Sequence, residues 1–139
     1  MSLRLQNNKL EGGIPVSLRG LTRLRELRLD NNKLTGGIPA ALGECTLLTV
    51  INLSKNALTG AIPPALGNCI DLRSLCLTGN HELSTHLPAP LLHLEALSDI
   101  RQDGEDGVEL RESRAVELQR KARNSFMALR RGSSAVHRS

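Results

Sequence analysis

The stretch LRLDNNKLTGGIPAALGECTLL, residues 27–48, decides the fold because most of it occurs more than once in the chain. A shift of 24 positions aligns residues 3–10 with 27–34 and then with 51–58. A fourth copy begins at Leu75 and slips by one residue, because His81 and Glu82 stand in the place of a single residue. Insertions of this kind fall in loops and not in the packed core. The chain is therefore built from one repeated unit.

Each copy opens with apolar residues that alternate with polar ones, as in Leu27-Arg28-Leu29. Alternate side chains of a β-strand point to opposite faces, so this pattern predicts buried leucines and an exposed arginine. One short strand cannot bury its apolar side alone, whereas stacked coils can. The repeat therefore predicts parallel strands ~4.7 Å apart. Their inner column is Leu3, Leu27, Ile51 and Leu75.

Turn residues recur at fixed positions after each strand. An asparagine amide at such a turn can bond backbone groups of its own coil and of the next one. The predicted asparagine ladder consists of Asn8, Asn32, Asn56 and Asn80. Glycine supplies the backbone freedom of a turn, and proline keeps a helix from starting directly after the apolar residue before it. The glycines are Gly12, Gly36 and Gly60, and the prolines are Pro15, Pro39, Pro63 and Pro88.

The pattern N-x-L-T-G-x-I-P-x-x-L-G, matched by residues 32–43 and 56–67, resembles the plant-type leucine-rich repeat of receptor-like kinases and polygalacturonase-inhibitor-like proteins. The first copy departs from it at Glu11 and Arg19, and the fourth at Thr85. The resemblance covers residues 1 to about 100. It implies an α/β repeat solenoid, a right-handed curved stack of coils with a parallel sheet on its concave face. The implied repeats are 3–26, 27–50, 51–74 and 75–99.

A binding site is predicted on the concave face, at the strand positions between and after the buried leucines and just before each strand. Its residues are Arg4, Gln6, Asn7, Lys9, Arg25, Arg28, Asp30, Asn31, Lys33, Asn52, Ser54, Lys55, Arg73 and Thr78. Cations outnumber acids there, so we expect a protein or peptide ligand with acidic or amide groups, anchored by Arg4, Arg25 and Arg28. The alternative is a solvated polar surface without a ligand. Nucleic acid is disfavoured, because residues 1–100 contain no aromatic side chain on which a base could stack.

The cysteines predict different environments. Cys45 and Cys69 are 24 positions apart in a core column, which favours buried free thiols that act as small apolar side chains. A disulfide between adjacent coils is the alternative. Cys76 takes an outward strand position.

Catalytic and cofactor-binding motifs are absent from the sequence: there is no phosphate-binding glycine loop, no H-E-x-x-H and no nucleophile with a placed base. His81, His86 and His93 match no metal-binding spacing. We therefore expect no enzyme, no cofactor and no metal. The glycosylation sequon at Asn52 lies on a predicted concave strand and is interpreted as coincidental.

The 139 residues predict one domain with a tail, without a transmembrane segment or a signal peptide. A cytoplasmic location is expected, or a membrane or extracellular one if the chain is part of a receptor. No capping repeat precedes Leu3, which favours a fragment of a longer repeat protein over a short solenoid capped by a partner.

The repeat pattern stops after Ile100, which is expected to open a fifth strand. Residues 101–107 are an acidic, glycine-containing linker, 108–132 a predicted basic amphipathic helix and 133–139 a flexible tail. The helix could cap the last coil or be a solvated helix, bind an acidic partner such as calmodulin, or attach to an anionic membrane.

Taken together, these patterns predict a non-catalytic protein-interaction module that binds through its concave sheet. One alternative is the ligand-recognition fragment of a receptor-like kinase or another signalling enzyme. A second alternative makes the basic helix the functional part and the repeats its scaffold.

Overall fold

The computed structural model describes residues 1–103 and the backbone of residues 109 and 110. Each coil contributes two short strands, one at its start and one after the turn that follows. In chain order the strands are β1 (Ser2–Arg4), β2 (Glu11–Gly13), β3 (Glu26–Arg28), β4 (Lys33–Gly36), β5 (Val50–Asn52), β6 (Ala57–Gly60), β7 (Ser74–Cys76), β8 (Glu82–Leu83), β9 (Asp99–Asp103) and β10 (Glu109–Leu110).

The first sheet has the order β1-β3-β5-β7-β9-β10. Its first five strands are parallel, and the register pairs Leu3 with Leu27, Leu27 with Ile51, and Ile51 with Leu75. Leu75 then pairs with Ile100, so the expected fifth strand is present. The predicted column of apolar residues is confirmed.

A second parallel sheet, β2-β4-β6-β8, lies on the next side of each coil. It was not predicted from the sequence, because its strands lack a clear alternation of apolar and polar residues. Gly12, Gly36 and Gly60 lie in it with positive φ angles of 80°, 75° and 83°, as their predicted turn role requires.

The return segments are single helical turns: 3₁₀ helices at Val16–Gly20, Ala40–Glu44 and Pro64–Asn68, and an α-helix, α1, at Ala89–Leu92. Each turn follows a proline that is itself extended, with ψ between 130° and 146°. The prolines therefore delay each helical turn by one residue, as predicted.

The core between these three sides is aliphatic. Columns of buried side chains run through successive coils, and Leu27, Ile51 and Leu75 are fully buried. Cys45 and Cys69 occupy one such column as free thiols and are also fully buried. These two cysteines therefore do not form the alternative disulfide between adjacent coils. The Cys69 Sγ instead donates to the Cys45 carbonyl oxygen at 3.4 Å.

Three of the four predicted ladder asparagines, Asn32, Asn56 and Asn80, link their coil to the one before it. Asn56 Oδ1 accepts a hydrogen bond from the Leu34 backbone N–H at 3.0 Å. Its Nδ2 donates to the carbonyl oxygens of Leu29 in the preceding coil and Leu53 in its own coil, at 3.0 and 3.1 Å. Asn32 and Asn80 repeat this arrangement.

Strand β10 pairs with β9 in an antiparallel direction, so that Glu109 lies beside Asp103 and Leu110 beside Gln102. Residues 101–103 of the predicted linker therefore belong to β9, and residues 109 and 110 are strand and not the first turn of the predicted helix. The edge of a sheet has unpaired N–H and C=O groups, which a returning strand satisfies. The rest of the predicted helix and the tail lie outside the described residues.

Candidate functional site: the concave face of the first sheet

The concave face consists of the outward side chains of β1, β3, β5, β7 and β9. They form two columns across the strands. One column is Arg4, Arg28, Asn52, Cys76 and Arg101, and the other is Ser2, Glu26, Val50, Ser74 and Asp99. Sequence reasoning placed Arg4, Arg28, Asn52 and Cys76 on this face and missed the second column. The available signal was the alternation itself, since the residue before each buried strand leucine also faces outward.

The Glu26 carboxylate accepts hydrogen bonds from two arginines, one on β1 and one on β3. Arg4 Nη2 donates to Glu26 Oε2 at 2.9 Å, and Arg28 Nε donates to Glu26 Oε1. The side chain of Glu26 is only 14% exposed, against 61% for Arg4 and 38% for Arg28. The hydrogen bonds from Arg28 and Arg4 lower the Glu26 pKa to about 2. The positive charge predicted for these repeats is therefore partly neutralised by one carboxylate.

A third ion pair lies on β9. Arg101 Nε donates to Asp99 Oδ1 at 3.0 Å. Asp99 Oδ2 accepts a further hydrogen bond from Ser74 Oγ at 3.1 Å. Strands β3 and β9 thus each carry an acid and an arginine two residues apart.

Between β3 and β9, strands β5 and β7 present short neutral side chains. Asn52 Oδ1 accepts hydrogen bonds from the Ser54 N–H at 3.1 Å and from its Oγ at 2.7 Å. Ser54 is buried, so its predicted place on the exposed binding surface is wrong: the serine hydroxyl is turned towards Asn52. Above these strands lies an open depression of about 310 Å³, which extends from Arg28 to Arg101.

The other predicted binding residues lie around the columns. Asn7, Asn31 and Lys55 are exposed in the turn after their strands, with φ between 55° and 59°. Gln6, Asp30 and Thr78 are partly buried one position before that turn, while Arg25 and Arg73 are exposed just before β3 and β7. Lys9 precedes β2, and Lys33 is the first residue of β4. Lys33 therefore belongs to the second sheet and is a correction to the predicted set.

The three thiols differ in environment. Burial raises the pKa of Cys69 to about 11 and also raises the pKa of Cys45. Cys76 is partly exposed on the concave face, with its Sγ 3.7 Å from Thr78 Oγ1. Within residues 1–103, no group of three or more His, Cys, Asp and Glu side chains is arranged to hold a metal ion.

Residues 1–21, 23–45 and 47–69 each match the family model of the leucine-rich repeat. The repeats of this chain belong to the leucine-rich repeat family. They are of the plant type, as their similarity to solved plant receptor structures indicates. No curated protein is significantly similar to this chain.

Solved leucine-rich repeat structures from Arabidopsis resemble the stack closely. The ectodomain of the receptor kinase GASSHO1/SCHENGEN3, solved with CASPARIAN STRIP INTEGRITY FACTOR 2, is 38% identical over 73% of this chain and 12% of its own, with a TM-score of 0.69. The receptor kinase HAESA, solved with the peptide hormone IDA and the co-receptor SERK1, is 33% identical over 72% of this chain and 18% of its own, with a TM-score of 0.66. The BIR2 ectodomain is 35% identical over 73% of this chain and 56% of its own, with a TM-score of 0.66.

The matched part of this chain thus spans between 12% and 56% of the length of those three structures. Among the described residues, none of the helices has the length and hydropathy that a membrane span requires.

Proposed function

We propose that this leucine-rich repeat stack binds an extended peptide, or an extended segment of a protein, on its concave face, and catalyses no reaction on it. The observation that carries the proposal is the continuous face of five parallel strands whose outward side chains are held in place by ion pairs and hydrogen bonds. A face fixed in advance loses little conformational entropy when a ligand binds. Similar plant ectodomains solved with peptide hormones support this choice of ligand.

The ligand of this proposal has mixed polarity and is not strongly acidic. Arg4 and Arg28 already share the carboxylate of Glu26, and Arg101 is bonded to Asp99. Guanidinium groups with a carboxylate partner retain N–H donors for a ligand, but they attract a distant anion less than unpaired cations do. The anchors expected from the sequence therefore act as hydrogen-bond donors more than as a positive field.

We further infer that the repeats act outside the cell, as the recognition part of a longer receptor. Similarity to receptor-kinase ectodomains supports this alternative over the cytoplasmic location expected from the sequence.

A peptide selection tests the proposal. Random linear peptides displayed on phage are selected against the full chain, and the enriched peptides are titrated against two variants. Arg28→Ala removes a concave cation, whereas the control Arg23→Ala removes an exposed cation outside the concave columns. We expect Arg28→Ala to weaken binding about tenfold, as for an interface anchor, and Arg23→Ala to leave the Kd within about twofold.

Amide NMR shifts should map the selected peptides to β3, β5 and β7. Failure to enrich any peptide, or a footprint confined to the second sheet, would overturn the proposed function.

A further inference from the structure

Side-chain size varies sharply across the concave face. Strands β3 and β9 each carry an acid and an arginine, Glu26 with Arg28 and Asp99 with Arg101. The two strands between them present Val50, Asn52, Ser74 and Cys76, which are all shorter than arginine. The result is a trough, defined by these four floor residues and walled by the two arginines.

The walls of the trough are held by their own strands. Arg28 is bonded to Glu26 and Arg101 to Asp99, in each case two residues earlier. Ser74 Oγ adds a hydrogen bond from the floor to Asp99. Arg28 and Arg101 lie in one column with two strands between them, so their backbones are ~14 Å apart at the usual strand spacing.

The volume of the trough limits what can enter it. Its 310 Å³ is at the lower end of the ~300–1,000 Å³ typical of ligand pockets, and the trough is open to solvent. An extended peptide that crosses the face could therefore place one large side chain in it.

The chemistry of the trough favours an aromatic side chain. The floor contributes the methyl groups of Val50 and the thiol of Cys76, and sulfur makes favourable contacts with aromatic rings. Guanidinium groups stack on aromatic faces, and a guanidinium whose Nε is tied to a carboxylate can still offer its flat face. Asn52 and Ser74 can bond a polar ring edge such as a tyrosine hydroxyl or an indole N–H.

We propose that the trough is a subsite for one aromatic side chain of an extended peptide ligand. The inference rests on the proposed function, because it specifies which residue the bound peptide presents to β5 and β7.

Short synthetic peptides provide the test. Four blocked nonapeptides of Ser and Gly carry Trp, Leu, Glu or Ala at the centre, and each is titrated into the ¹⁵N-labelled full chain at millimolar concentration. We expect the Trp peptide to shift the amides of Val50, Asn52, Ser74 and Cys76, with a Kd roughly fivefold or more below that of the Leu and Glu peptides.

A filling variant and its matched control complete the design. Val50→Trp places an indole over the trough floor, whereas Thr59→Trp adds the same group on the exposed strand β6 of the second sheet. The Trp peptide should lose its binding to Val50→Trp and keep it with Thr59→Trp. Equal melting temperatures of the two variants would exclude unfolding as the cause.

Other outcomes overturn the subsite. Tighter binding of the Glu peptide would identify an anion site, equal binding of the Leu and Trp peptides would leave only a size preference, and no shift with any peptide would mean no subsite. Unchanged binding of a library-selected peptide to Val50→Trp would also reject the trough, yet leave the proposed function standing. The proposed function fails separately if the selected peptides do not map to the concave face.

Discussion

Replacing Asn80 by alanine tests whether the asparagine ladder holds the coils together. Asn80 is 2% exposed. Its Oδ1 accepts from the Leu58 N–H at 3.0 Å, and its Nδ2 donates to the carbonyl oxygens of Leu53 and Leu77, both at 3.0 Å. The Leu53 carbonyl oxygen keeps a second hydrogen-bond donor in the variant, because Asn56 Nδ2 also donates to it. The substitution therefore orphans two backbone groups, the N–H of Leu58 and the carbonyl of Leu77.

The expected loss follows from these two groups. A buried polar group left without a partner costs about 1–3 kcal/mol, so Asn80→Ala should lower the free energy of unfolding by about 2–6 kcal/mol. That is a large part of the 5–15 kcal/mol typical of a whole domain.

Asn8→Ala is the matched control. Asn8 holds the same position in the first coil, but it is exposed and bonds only the carbonyl oxygens of Leu5 and Gln6 in its own coil. Water can replace those bonds, so the loss should stay below about 1 kcal/mol.

The assay is equilibrium unfolding in urea followed by far-UV circular dichroism, because the chain contains no Trp and no Tyr to report by fluorescence. Equal losses for the two variants, or a loss below about 1 kcal/mol for Asn80→Ala, would refute the reasoning.

Three further predictions concern charge, packing and thiol reactivity. Because the pKa of Glu26 is lowered from 4.5 to about 2, its ion pairs stabilise the fold above pH 4.5 and are lost as the pH falls towards 2. The midpoint of urea unfolding should therefore drop over this pH range, and it should drop less steeply in the Glu26→Gln variant. A methyl group on Gly43 would collide with the backbone carbonyl of Ala65, so Gly43→Ala should cost about 1–3 kcal/mol in thermal unfolding, whereas Gly20→Ala, which meets nothing within 4 Å, should be nearly neutral. N-Ethylmaleimide should modify Cys76 first in the native chain, since the other two thiols are fully buried with raised pKa values. Mass spectrometry counts the adducts, and rapid appearance of more than one adduct per chain would contradict this prediction.

The concave face shows how far sequence reasoning reaches into a site. Alternation from the buried leucines placed Arg4, Arg28 and Asn52 correctly, because the direction of a strand side chain depends only on its position. It could not foresee that Glu26 takes hydrogen bonds from both arginines, or that Ser54 is buried with its hydroxyl bonded to Asn52. Those contacts depend on the distances between particular side chains once the coils are stacked.

The sequence by itself determined the length of the coil, the aliphatic columns and the asparagine ladder. Equal spacing in the chain forces equivalent residues into register when coils stack, so a local pattern is enough to define them. Only the tertiary structure decided the second sheet, the two ion pairs that wall the trough, and the return of β10 onto β9. The pairs of the second sheet, and the bonds of Arg4 to Glu26 and of Ser74 to Asp99, join residues 22 to 25 positions apart. The sequence contains both partners of each such contact, but the geometry of neighbouring coils selects which of them meet.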